Sequence, residues 1–192
     1  MKNKIIFTVG MAGSGKSIVA DELVKKGFEY VRFGQVVIDE IKIEELEVNE
    51  TNEKIVRERL RNEHGMGAMA ILNISQFDTF LETSNVVGDG LYSWTEYKIL
   101  KEKYGSNMYV LAIYAPPTLR YERLENRTAS NDVDNRFRSI LKDDSKKRDY
   151  SEIENIEKGG PIAMADFTII NTGKLEDAIM QVNNILSKIT NE

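Results

Sequence analysis

The sequence predicts an α/β fold: a parallel sheet with helices on both faces. Two observations lead there. Short apolar runs that end in glycine or turn residues alternate with segments of helical periodicity along most of the chain. Strands alternating with helices need right-handed crossovers, and these put helices on both sides of a parallel sheet. The second observation is a glycine-rich segment, Gly10 to Ser17, between the first apolar run and the first helical segment. An open α/β sheet presents its ligand site at such a strand-to-helix turn.

The elements follow in order. Lys4 to Val9 reads as a buried strand, and Ser14 to Lys26 as a helix with Ile18, Val19, Leu23 and Val24 at helical spacing. Gly27 stands where a C-terminal cap belongs. Phe28 to Phe33 is a second strand candidate, and from Gly34 to Glu82 the pattern is helical throughout. Asn85 to Asp89 is a third strand, Trp94 to Tyr104 a helix stopped by Gly105, and Met108 to Tyr114 the most apolar strand. Pro116 or Pro117 opens a helix to about Arg127. Residues 132–149 are charged and helical in pattern, Asp166 to Asn171 is a fifth strand, and Leu175 to Ile189 the last helix. Residues 1–192 read as one domain, with a helical insertion over 35–84 and a smaller excursion, a lid, over 128–148.

Composition excludes several classes. The chain has 192 residues, 41% of them hydrophobic, a net charge of −5 and no cysteine. That length buries about 70% of the unfolded surface, enough for one substantial core. Without cysteine there is no disulfide framework, thiolate nucleophile or thiolate-held metal, and a cytoplasmic location fits. No apolar run approaches the roughly 20 residues that span a bilayer, and the apolar start breaks at Gly10 with no cleavage site after it. The negative charge argues against a general nucleic-acid binder. Neither a membrane nor a nucleic acid is an expected partner.

Gly10-Met11-Ala12-Gly13-Ser14-Gly15-Lys16-Ser17 matches G-x-x-x-x-G-K-[ST] in full, in its required strand–turn–helix context. Glycines let successive N–H groups converge on phosphate oxygens, and the following helix adds its positive end. Lys16 would meet the β- and γ-phosphates, and Ser17 would offer a hydroxyl to Mg²⁺. ATP and Mg²⁺ are the expected cofactors. Asp89 ends the third strand at the ligand edge; it would hold the metal through water or orient an acceptor hydroxyl, or else cap the helix near Ser93. Gly90 beside it allows close approach of a substrate.

Nine of the ten arginines fall in two windows, 57–61 and 120–148. Arginine's planar fork grips phosphate in bidentate fashion, so the clustering points to charge clamps, although solvated helix faces with nearby Glu and Asp account for many arginines elsewhere. Arg57, Arg61 and His64 share one helical face that would grip an acceptor, and Arg120, Arg127, Arg136 and Arg138 would close over the transferring phosphoryl group. His64, the only histidine, lacks partners for a zinc site. Asn171 to Gly173, after the last strand, would contact a base or form a plain turn.

In order, Gly10 to Ser17, Phe33 to Val37, Arg61 to Met66, Val87 to Gly90, Arg120 to Leu124, Arg148-Asp149 and Ala165 to Gly173 make the chain resemble the P-loop kinases of small molecules. It is most similar to the nucleoside-monophosphate kinase and dephospho-CoA kinase group, and within that to archaeal dephospho-CoA-kinase-like, adenylate-kinase-related proteins. The resemblance implies a three-layer fold with a five-stranded parallel sheet of order 2-3-1-4-5, a helical substrate-binding region and a lid. It implies that Arg127 stacks on adenine, that Arg136 and Arg138 are lid arginines, that Asn171 and Gly173 line the base, and that Gly34 and Gly90 flank the acceptor. Gln35, Ile38 and Tyr92 depart from the group's pattern, and all three concern the acceptor.

The expected function is ATP- and Mg²⁺-dependent phosphoryl transfer to a small nucleotide-like acceptor, by a monomer or small homo-oligomer. The alternative is a nucleotide-binding regulatory ATPase acting with a protein or RNA partner. A GTPase fits less well, because no N-K-x-D follows the fourth strand.

Overall fold

A computed structural model of the chain describes residues 3–127 and 141–189. Strands β1 (Ile5–Val9), β2 (Glu29–Arg32), β3 (Val86–Asp89), β4 (Met108–Tyr114) and β5 (Phe167–Ile170) form one parallel sheet in the order β2-β3-β1-β4-β5. This is the predicted order. All five residues of the central strand β1 are buried, as an apolar run covered on both faces must be.

The helices are α1 (Lys16–Lys25), α2 (Gln35–Ile43), α3 (Glu50–His64), α4 (Ala68–Leu81), α5 (Trp94–Tyr104), α6 (Pro117–Glu125), α7 (Lys142–Ile156), α8 (Gly159–Ala163) and α9 (Leu175–Ile189). Alternating β1 side chains feed two cores. Ile5, Phe7 and Val9 enter one core with residues of α2 to α5, while Ile6 enters the other with Val19 and Leu23 of α1 and Val182 and Ile185 of α9. The first core holds three mutually contacting rings, Phe7, Phe33 and Phe77, with Phe7 edge-on to both others. Gly88 of β3 makes room for them: a Cβ there would lie 2.4 Å from the Phe7 ring.

Local signals set the ends that matter for the site. Asn49 caps α3 through Asn52 N–H, and Ser93 with Glu96 forms a reciprocal capping box on α5. Residues 35–81 are helical apart from short connections, as the periodicity predicts. Two expectations shift. The helix placed at 132–149 is α7, which runs on to Ile156; residues 132–140 lie outside the described residues. The short α8 was not anticipated, because Gly159-Gly160-Pro161 reads as a break. Proline is tolerated there because it sits in the first turn, where its missing N–H costs nothing.

Candidate active site at the carboxyl edge of the sheet

The loop between β1 and α1 folds because its glycines allow it. Gly10, Gly13 and Gly15 have φ of 153°, 78° and 103°. A Cβ at Gly10 would lie 2.5 Å from Ile113 O, at Gly13 2.7 Å from Arg120 O, and at Gly15 2.3 Å from Asn171 Nδ2. The loop is thus wrapped by β4, α6 and the end of β5. Lys16 folds back over it and donates to Gly10 O at 2.9 Å and Met11 O at 3.2 Å. Removal of its ammonium from water, and then the charge of Lys158, push Lys16 down from its ordinary value to about 7, although Asp89 and Glu152 pull the other way. Ser14 Oγ is buried and has no partner among the described residues. A bent-back lysine short of counter-charge, an orphaned hydroxyl and a loop closed to any Cβ fit a polyphosphate.

Asp89 stands on the Ser17 side of the loop. It accepts from Thr8 Oγ1 at 2.8 Å, Tyr30 O–H at 3.1 Å and Ser17 Oγ at 3.5 Å. The parallel register sets Thr8 of β1 directly opposite Asp89 of β3. Two oxygens of the kind Mg²⁺ takes, Ser17 Oγ and an Asp89 carboxylate oxygen, therefore stand together, so the residues present fit the ion. Tyr30 and Thr8 were missed, because the strand pattern shows only their alternation. Gly90, at φ 99°, turns the chain under the Tyr92 ring, which a Cβ would approach to 3.3 Å.

The arginines divide by environment. Arg120 is buried and pairs with Asp149 at 2.5 Å and 3.0 Å, while also donating to Ala12 O at 2.9 Å and Ala115 O at 3.1 Å. It braces the loop from behind, which corrects the expectation that it grips a substrate phosphate: its donors are committed to the protein. Arg57 pairs with Glu53 one turn earlier, and Arg59 ties α3 to Glu40 of α2 and to Glu44 just past its end. Arg61 is half-buried; loss of hydration lowers its pKa, and Glu96 offsets part of that. His64 is on the surface beside Glu63, and no metal-ligating cluster exists among the described residues. Arg127 ends the first described segment, and Arg136 and Arg138 lie outside the described residues.

Asn171 is buried and donates to Ser14 O at 2.7 Å, so its amide ties the end of β5 to the loop; Gly173 is exposed in the following turn. Gly34 precedes α2, and a Cβ there would meet open space, whereas Gln35 is engaged by Asp39 at 2.8 Å.

One cluster escaped the sequence reading. Lys158, 1% exposed, donates to Glu152 Oε2 at 2.5 Å, and Arg148 donates to Glu152 Oε1 at 2.9 Å. Burial opposes the charge on Glu152, yet Lys158 and Arg148 hold its pKa down at about 2. The Lys158 ammonium also lies 4.8 Å from the centre of the Tyr92 ring. The spacing of Arg148 and Glu152 on one helix was the available signal; Lys158 carried none, since lysine is ordinarily solvated. Nearby Glu96 is buried, and its Oε2 accepts from Tyr92 N and Ser93 N at 2.9 Å each. Burial raises its pKa to about 7, with those amides, Arg61 and Lys158 acting against it.

Comparisons with known proteins bear on the family and the fold. A family profile described as an AAA domain matches residues 9–140. A UPF0200 protein of Thermococcus gammatolerans is 35% identical over 187 residues, covering 96% of this chain and 95% of the relative. Among solved structures, TT1252 from Thermus thermophilus aligns with TM-score 0.66 at 17% identity, over 98% of both chains. A shikimate kinase from Acinetobacter baumannii, solved with shikimate, aligns with TM-score 0.60 at 17% identity, over 98% of this chain and 94% of that one. Both structural likenesses concern the fold alone, an α/β P-loop fold. No helix among the described residues is long and apolar enough to cross a membrane. The chain belongs to the UPF0200 family and carries an AAA domain over residues 9–140.

Proposed function

We propose that this protein transfers the terminal phosphoryl group of ATP, with Mg²⁺, to a small nucleotide-like acceptor. The observation that carries the reading is the meeting of Lys16, Ser17 and Asp89 at the carboxyl edge of the sheet. Phosphoryl transfer asks for positioning and charge neutralisation, and these residues supply both. The loop amides and Lys16 hold the donor. Bound Mg²⁺ would neutralise charge on the phosphates, and Ser17 and Asp89 are the residues that would hold it. Arg61, on which the Glu96 carboxylate acts, is assigned to the acceptor, and Arg127, Arg136 and Arg138 are assigned to closure over the donor. Residues 35–84 serve as the acceptor-binding region and 128–148 as the lid. The solved shikimate kinase lends this reading support as a fold neighbour that acts on a small molecule.

The test is ADP production from Mg-ATP against AMP, CMP, UMP, GMP and dephospho-CoA, with Lys16→Ala as control. A signal that needs one acceptor and vanishes in the variant supports the proposal. ADP production that ignores every acceptor favours the second reading, a regulatory ATPase, to which the AAA description lends weight.

A further inference from the structure

Tyr92 is held at its backbone and at its ring, but not at its hydroxyl. Its N–H donates to Glu96 Oε2 at 2.9 Å, and the Lys158 ammonium lies 4.8 Å from the centre of its ring. The hydroxyl end of the ring stands over Gly90, where a Cβ would lie 3.4 Å from the phenolic oxygen. Gly90 directly follows Asp89 at the carboxyl end of β3. The side chain acts on the charges of Arg61 in α3 and Arg148 in α7, so it lies within reach of both helices. Its hydroxyl has no hydrogen-bond partner among the described residues. A phenol both donates and accepts, so two bonding positions are unspent beside Asp89.

The charges around that hydroxyl are already matched. Glu152 binds both Lys158 and Arg148, and Glu50 also acts on Arg148. Glu96 acts on both Arg61 and Lys158, and Arg57 pairs with Glu53. A phosphate brought against this wall would add negative charge where the described cations already have carboxylates. An alcohol adds no charge, and it pairs with a phenol as donor or acceptor.

We propose that Tyr92 is an acceptor-binding residue, that its hydroxyl orients an alcohol group of the acceptor beside Asp89, and that this alcohol oxygen receives the phosphoryl group. The inference rests on the phosphotransfer reading and narrows its acceptor to one phosphorylated on an alcohol. In the step, the alcohol oxygen bonds to the terminal phosphorus of ATP. The bond from that phosphorus to the bridging oxygen breaks, its electron pair leaves with ADP, and the alcohol proton passes to water.

The experiment compares the full chain with Tyr92→Phe, which keeps the ring against Lys158 and removes only the hydroxyl. Adenosine, cytidine, uridine, guanosine and dephospho-CoA offer alcohols and no terminal phosphate; AMP, CMP, UMP and GMP offer both. Transfer from Mg-ATP is followed, and the product is assigned as phosphate ester or anhydride by phosphorus NMR. An ester is expected. One hydrogen bond to the acceptor corresponds to about tenfold, so Tyr92→Phe should lower kcat/KM for that acceptor by this factor, with KM for ATP and thermal stability held. A merely structural role would lower ATP affinity and stability together. An anhydride as the only product overturns the proposal and leaves phosphotransfer standing. So does an acceptor kcat/KM within about twofold of the parent in Tyr92→Phe. If no probe is phosphorylated, calorimetric binding of adenosine and dephospho-CoA with Mg-ADP present decides: weakening in Tyr92→Phe keeps the contact and removes the phosphotransfer reading, and equal or absent binding removes both.

Discussion

Ser17 Oγ lies 3.5 Å from Asp89 Oδ2, although 72 residues separate them along the chain. The contact exists because β1 and β3 are parallel neighbours in register, so that Thr8, one residue before the end of β1, faces Asp89 and the loop after β1 returns Ser17 to the same edge. Asp89→Asn keeps an acceptor oxygen for one of Thr8 and Tyr30, turns an amide N–H toward the other hydroxyl, and removes the charge a metal would meet. Mg-ATP turnover should fall about a hundredfold or more, with thermal stability little changed. Steady-state rates over a magnesium titration check this; an unaltered magnesium dependence would remove Asp89 from the metal site.

Arg120 and Asp149 form a buried ion pair that carries the loop carbonyl of Ala12 on its third bond. Arg120→Ala leaves Asp149 buried without its charge partner, at a cost of about 3–5 kcal/mol in urea unfolding. The double variant Arg120→Leu, Asp149→Leu should recover much of that stability, yet bind nucleotide poorly because the loop loses its brace. Full nucleotide affinity in a folded double variant would return Arg120 to the list of stability residues only.

The proton on Lys16 offers a pH test. Its pKa of about 7 lies below the ordinary lysine value, so above that pH the free protein holds this amine largely neutral. A bound polyphosphate favours the charged form and raises the pKa again. Binding of Mg-ATP near pH 8 should therefore take up a proton, and affinity should fall as pH rises through about 7. Calorimetry in buffers of different ionisation enthalpy measures the uptake directly. Lys16→Met should abolish it.

Glu96 bears on stability with the opposite kind of shift. Its folded pKa of about 7 is raised above the ordinary carboxyl value, so its protonated form is favoured in the fold. The resulting stabilisation is fully present below the unfolded pKa and is lost as pH rises through about 7. Glu96→Gln should accordingly gain on the parent between pH 5 and pH 8, because it carries no charge to bury. Urea unfolding of both proteins at the two pH values reads the difference; a gap that is constant with pH would contradict the assignment.

Gly88 is a packing glycine. Gly88→Ala drives a methyl into the Phe7 ring and should destabilise by about 1–3 kcal/mol, measured by chemical unfolding. Parent stability in that variant would mean that the ring cluster yields more readily than its close contacts imply.

The sheet was legible because each strand is a short apolar run with a turn signal at its end, and Met108–Tyr114 is the clearest case. The phosphate loop was legible because its backbone demands glycine at fixed positions. Arginine roles were less so: the same planar fork that suits phosphate also suits a carboxylate, and Arg120 finds Asp149 29 residues away, a separation no periodicity encodes. Asn171 was placed at the right edge, but its bond to the Ser14 carbonyl carried no sequence signal, since a loop carbonyl and a base both accept from an amide. Lys158 was hidden for a related reason. Its burial depends on a left-handed turn at Glu157, a residue type that seldom adopts one.

The central claim is that Lys16 and the residues gathered around it transfer a phosphoryl group to a particular small acceptor. Acceptor-dependent ADP formation from Mg-ATP, compared between the parent chain and Lys16→Ala, tests it most directly. The account predicts ADP only in the presence of one acceptor class and none from the variant. ADP formed at the same rate without any acceptor, or undiminished in Lys16→Ala, would contradict it.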